Sequence, residues 1–110
     1  MTNFRRLIYF LKRECPCAYP VTVRRVRMAD GDDGDCSKHK NKFYIRINRK
    51  IVDEHRAIDA LLHEWAHARA WNHLHDSMDA NEFSEKVHDA AWGVAYSEVY
   101  CIFEQKFCIE

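Results

Sequence analysis

The chain has 110 residues, 47% of them hydrophobic, with only three Gly and two Pro. That is enough for one packed domain, residues 1–110, and it excludes a disordered or low-complexity chain. Formal net charge is zero, yet residues 1–50 carry thirteen Lys/Arg against five Asp/Glu, while residues 51–110 carry four against twelve. The two halves are expected to pack together and neutralise each other. The alternative is a basic face for an acidic partner such as nucleic acid.

Residues 3–14 form the first predicted helix, with Phe4, Leu7, Ile8 and Leu11 on one stripe. Arg5-Arg6 precede an apolar run, but Lys12 ends it after five residues, short of the roughly 7–15 of a secretory leader. No stretch approaches the roughly 18 apolar residues of a membrane span. The chain therefore reads as cytoplasmic, with no membrane partner. Pro16 and Pro20 stop the helix, and "VTVRRVRM" (21–28) suits a half-exposed strand.

"ADGDDGDCSKHKNK" reads as a long polar loop. Asp30 and Asp32 start like an EF-hand loop, but Gly34 and Asn41 stand where ligands belong, which excludes it. "KFYIRINRK" (42–50) alternates Phe43, Ile45 and Ile47 against Tyr44, Arg46 and Asn48, and should pair antiparallel with 21–28. A helix over 53–73 follows, with Asp53 as N-cap and Ile58, Leu61, Leu62, Trp65 and Ala68 as core stripe. A last helix over about 79–106 carries Phe83, Val87, Ala91, Val94, Ala95, Val99, Ile102 and Phe103 at three or four. The expected fold class is α+β: N-terminal helix, small antiparallel sheet and two helices.

The five cysteines are an odd number, which argues against a complete disulfide framework. Cys15, Cys17, Cys36 and His39 offer a CxC plus CxxH set for a second, structural zinc; the simpler reading is free thiols near a turn. Cys101 and Cys108 have a helix-face spacing that suggests packing.

The chemistry concentrates in "LLHEWAHARAWNHLHD" (61–76), which holds His63-Glu64-Trp65-Ala66-His67, an HExxH pattern. Histidines at i and i+4 share one helix face and can grip one zinc at about 2.0–2.1 Å each. The intervening glutamate can act as general base on a water that the zinc activates. His63 and His67 are thus candidate ligands, and Glu64 the candidate base.

A third ligand is required, and the residues leave several open. His73 has the metzincin spacing, but Ala70 stands where that motif has the Gly that turns the chain; Met78 adds little, and His75 fits no pattern. On an antiparallel last helix, Glu85 and His88 come level with the zinc. Glu82 and Glu98 are less well placed. His88 shares a stripe with Ala91, Trp92 and Ala95, so it should face the interior.

"LLHEWAHARAW" followed by "HDAAWGVAYSEVY" resembles the SprT-like zincins, and especially the small phage-encoded proteins of that layout, over roughly residues 43–103. Those proteins follow HExxH with His-Gly-x-x-Trp/Phe on the next helix, the His being the third ligand. Here the match is His88-Asp89-Ala90-Ala91-Trp92, with Asp89 in place of the Gly. The resemblance implies a minimal zincin-like domain, a peptidase-type function, a protein or peptide substrate, and His88 as third ligand. It also implies that the zinc ribbon of cellular SprT-like proteins is missing. Within such a scheme Tyr96 is the candidate oxyanion donor, and Trp92 should pack under the site. Strand 43–48 would be the edge that takes an extended peptide, placing Tyr44 or Arg46 near substrate. The alternative is a non-catalytic, zinc-containing binding module, such as a virion or DNA-associated protein.

Overall fold

The computed structural model describes residues 2–72, 75–76 and 88–108. In chain order these form α1 (Asn3–Glu14), β1 (Val21–Val26), β2 (Gly34–His39), β3 (Lys42–Asn48), α2 (Glu54–Arg69) and α3 (Ala90–Ile102). The last helix widens into a π-type coil over Phe103–Phe107. The class is α+β, as expected.

Thr2 caps α1, its hydroxyl accepting from the Arg5 N–H at 3.2 Å. Phe4, Leu7, Phe10 and Leu11 form the buried stripe, with Ile8 at its margin. The Phe4 N–H donates to Glu54 at 3.0 Å, tying the start of α1 to the first turn of α2. Trp65 is fully buried in α2, and its indole N–H donates to the Cys15 carbonyl at 2.8 Å. Arg69 reaches the Pro16 carbonyl at 2.7 Å. The turn after α1 is thereby fastened to α2 at two points.

The sheet corrects the expected topology. Its order is β1-β3-β2, with β1 parallel to β3 (Val21↔Phe43 through Val26↔Asn48) and β2 antiparallel to β3 (Gly34↔Ile47 through His39↔Lys42). The polar stretch expected to be a loop contains a strand. It reverses into β3 around Lys40, which adopts φ 55, and so takes the antiparallel partnership that β1 was expected to hold. β1 then joins the other side of β3 in parallel, and its connection must cross the end of β3. Asn48, buried there, pins that crossing. Its side-chain oxygen accepts from the N–H groups of Met28 (3.3 Å) and Lys50 (3.0 Å). Its amide donates to the carbonyls of Ala29 (3.3 Å) and Asp32 (2.7 Å).

In β3, Phe43, Ile45 and Ile47 are at most 1% exposed, whereas Tyr44 is half-buried and Arg46 exposed. The sheet therefore has one face on the core and one open. β3 is the central strand, so the expectation of a peptide-accepting edge there, with Tyr44 or Arg46 beside substrate, does not hold. The edges are β1 and β2.

Asp53 caps α2 as expected, accepting from the N–H groups of His55 (2.9 Å) and Arg56 (3.4 Å). The helix is buried almost all round, against the sheet, α1 and α3. It stops at Arg69, four residues before the expected end, and Ala70 takes φ −88 without a left-handed turn.

α3 begins at Ala90; residues 79–87 of the expected helix, with Phe83 and Val87, lie outside the described residues. Only Ala95 and Val99 of α3 are fully buried. Its packing side is a ladder of rings: Trp92–Tyr96 at 5.1 Å, Tyr96–Tyr100 at 5.9 Å, Tyr100–Phe103 at 6.0 Å and Phe103–Phe107 at 5.5 Å. Phe107 ends the ladder against Phe10 of α1 at 5.3 Å. Cys101 and Cys108 are exposed, contrary to the packing role their spacing suggested, because the ladder occupies the inward face. No helix among the described residues is long and apolar enough to cross a membrane.

Candidate metal centre

α2 presents His63 and His67 one turn apart, and the segment entering α3 brings His88 against them. The Nε2 atoms of His63 and His67 lie 3.2 Å apart, and those of His63 and His88 3.1 Å apart. All three donor atoms fall within 4.8 Å of one another. Three nitrogens at about 2.0–2.1 Å from a tetrahedral ion would stand about 3.3 Å apart, so the cluster is close to the size a metal requires. Among the described residues this is the one His/Cys/Asp/Glu group so gathered. Cys15, Cys17, Cys36 and His39 do not assemble into a second one.

His88 reaches the cluster differently than expected. It is exposed and precedes the helix, rather than facing inward from an α3 stripe. Asp89 is the N-cap of α3, its carboxylate accepting from the Trp92 N–H at 3.0 Å. That cap fixes the first turn and swings Trp92 back over the histidines. The Trp92 ring lies 5.0, 5.5 and 4.7 Å from the rings of His63, His67 and His88, and its indole N–H points at the His63 carbonyl at 3.5 Å. Trp92 thus packs against the site as expected. Tyr96 stands behind it, 6.3 Å from the His63 ring.

Two of the alternative ligands, Glu98 and His75, are described and stand outside the cluster. Glu98 pairs with Arg69 at 3.4 Å. His75 is buried beside Trp71 and outside the cluster. His73, Met78, Glu82 and Glu85 lie outside the described residues.

Electrostatics favours neutral imidazoles. Burial, then the neighbouring histidines, holds His67 down at about 3, and burial with His88 lowers His63. Both are unprotonated at neutral pH, the form a metal ligand must have. Glu64 is 8% exposed, and burial with the nearby Asp35 raises its carboxyl to about 8 in the metal-free chain. Burial also raises Tyr96 above its ordinary 10.

Two residues that act on Glu64, one by contact and one by charge, were given no role from sequence. Gly34, at the start of β2, lies where an added Cβ would meet the Arg46 carbonyl at 2.7 Å, the Ile47 side chain at 2.9 Å and Glu64 Cγ at 3.4 Å. Only glycine lets β2 approach β3 and Glu64 so closely. Asp35, which follows it, is held by Arg46 through Nε at 2.9 Å and a second guanidinium contact. The Asp-Gly repeats that mimicked a turn hid both. The three-imidazole cluster can hold a divalent transition metal, with an acid–base group at its side and a solvent-facing third ligand. No family model, curated protein or solved structure matches the chain.

Proposed function

We propose that this chain is a zinc metallopeptidase, with His63, His67 and His88 as ligands and Glu64 as general base. The observation that carries the proposal is the convergence of three imidazole Nε2 atoms beside a buried glutamate on the same helix. Imidazole nitrogens suit zinc, and a three-ligand set leaves the fourth position for chemistry, as catalytic zinc sites do. When bound, zinc polarises the scissile carbonyl, lowers the pKa of a water toward about 7 and draws the Glu64 carboxyl back toward its ionised form.

The protein's own part follows from placement. Glu64 takes a proton from water on its carboxylate and passes it toward the leaving amine. Its burial strengthens that exchange by excluding bulk solvent. Tyr96, whose ring lies 6.3 Å from that of His63, is the candidate hydroxyl donor on the α3 side. Trp92 walls off the histidines on that side and restricts water there. β2 is the sheet edge that begins beside Glu64, and an extended peptide adding to it would run past the base. This reading agrees with the resemblance to SprT-like zincins in "LLHEWAHARAW" and "HDAAW".

The test is Glu64→Gln in zinc-loaded protein against denatured protein substrates. Loss of a hydrolytic proton carrier should lower cleavage by about 10²–10⁴-fold, with zinc content unchanged by elemental analysis. A wild type that retains zinc yet cleaves none of a panel of unfolded proteins would select the non-catalytic binding module instead.

A further inference from the structure

The free edge of β1 is a feature that the metal centre leaves unused. β1 is an outer strand of the sheet, on the opposite side of β3 from β2 and Glu64. The carbonyls of Pro20 and Val26 turn toward β3 and its end, accepting from the N–H groups of Phe43 (2.9 Å) and Arg49 (2.7 Å). Residues alternate in this respect along a parallel pair, so Val21, Val23 and Arg25 turn their N–H and C=O groups outward. Such an edge is a template for another extended chain.

Two cavities lie along that edge, one of about 420 Å³ and one of about 340 Å³, and Lys12 of α1 lines both. The larger has Arg5 and Tyr9 of α1 on one side and Val23 and Arg25 of β1 on the other. The smaller begins at Val21 and is walled by Pro16, Tyr19 and Pro20. Tyr9 is 53% exposed and Tyr19 38%, so each cavity carries an aromatic side chain open to solvent. The two differ in charge. Arg5, Lys12 and Arg25 gather at the larger, whereas the walls of the smaller are mostly apolar. Arg25 is fixed in place: its Nη2 donates to the carbonyls of Asn48 (3.1 Å) and Ile51 (2.7 Å), and its guanidinium lies 5.1 Å from the Phe4 ring. Among the described residues no carboxylate pairs with Arg5, Lys12 or Arg25.

We infer that the β1 edge binds an extended acidic segment of a partner protein, added antiparallel to β1, with acidic side chains in the larger cavity and an apolar one in the smaller. In strand addition, main-chain hydrogen bonds supply affinity and pockets for alternate side chains supply specificity. Antiparallel pairing is the more stable per residue, and residues directly opposite each other share a face. Side chains opposite Arg25 and Val23 then enter among the three cations, and the one opposite Val21 enters the apolar cavity. A second copy of the chain is a poor occupant, because its own β1 would bring Arg24 and Arg25 against the same cations. A polyphosphate would satisfy the cations but has no amide N–H to pair with the edge. β3 stands between this groove and Glu64, so the inference does not rest on the metal chemistry.

The test is fluorescence anisotropy of a short labelled peptide in which threonines alternate with two glutamates and then a leucine, titrated with zinc-loaded full-length protein. Mass spectrometry verifies that the peptide stays intact. Arg5→Glu combined with Lys12→Glu, both exposed, should weaken binding about tenfold at low salt, and circular dichroism verifies that this variant is folded. Removal of the zinc should leave binding unchanged. N-methylation of the glutamate and leucine amides, which face β1 in the antiparallel register, should abolish binding, whereas N-methylation of the threonine amides should be tolerated. That pair of peptides leaves the protein untouched, so its outcome is independent of how any variant folds. Absence of binding at low salt, the same outcome for both methylated peptides, indifference to the charge reversal, equal binding of a peptide with lysine in place of glutamate, or binding that needs the zinc would each overturn the inference.

Discussion

The two elements that build the histidine cluster are held in very different ways. α2 buries ten of its residues, among them Glu64 and His67, and is fastened by the Trp65 and Arg69 hydrogen bonds to the turn after α1. α3 buries only Ala95 and Val99, leans on its ring ladder, and delivers an exposed His88 ahead of its N-cap. One side of the site is therefore preformed by the core, whereas the other is docked through imidazole and indole contacts. A metal at the cluster would join a rigid half to a lightly held half, so binding energy and folding energy become linked there.

The largest effects are expected on the α2 side. Trp65→Ala removes a fully buried ring and its hydrogen bond to Cys15, and should cost about 3–5 kcal/mol in denaturant unfolding. His88→Ala sharpens the contrast. In metal-free protein this exposed residue should change stability by no more than about 0.5 kcal/mol. With zinc at a thousandfold excess over Kd, the wild type should gain about 4 kcal/mol, and the variant should lose most of that gain. His67→Ala, by comparison, should lower stability in both states. Gly34→Ala probes the wall beside Glu64; its Cβ would sit 2.7 Å from the Arg46 carbonyl, so a cost of about 1–3 kcal/mol is expected.

A further effect is one of pH. In metal-free protein His67 is held at about 3 against an ordinary 6.5. Between those values the unfolded chain binds a proton that the folded chain refuses, so stability falls as pH falls from about 6.5 toward 3. Glu64, held at about 8 against an ordinary 4.5, takes up a proton only in the folded chain between those values and offsets this fall above about 4.5, so melting temperatures of the metal-free wild type should decline chiefly below about 4.5, and His67→Gln should decline less steeply there.

What the sequence disclosed follows the same divide. α2 announces itself through a strong 3.6-residue pattern, an Asp cap and a motif whose spacing is itself the geometry, so His63, Glu64 and His67 could be named outright. β2 could not, because Gly34, Asp35, Ser37, Lys38 and His39 are turn-like or polar and only Cys36 is buried. Its stability comes from pairing with β3, which is invisible locally. Missing that strand inverted the predicted pairing of β1 and put β3 at an edge where β2 stands. His88 was identified by resemblance and by its distance from His67, but its setting was not, since Asp89 carried a cap signal that a continuous helical stripe concealed.

Zinc-edge anomalous scattering from the metal-loaded protein tests the central claim most directly. The expected result is one zinc per chain with Nε2 of His63, His67 and His88 at about 2.0–2.1 Å and a fourth position open to solvent. Zinc held without His88, or closed off by a fourth protein ligand, would contradict it.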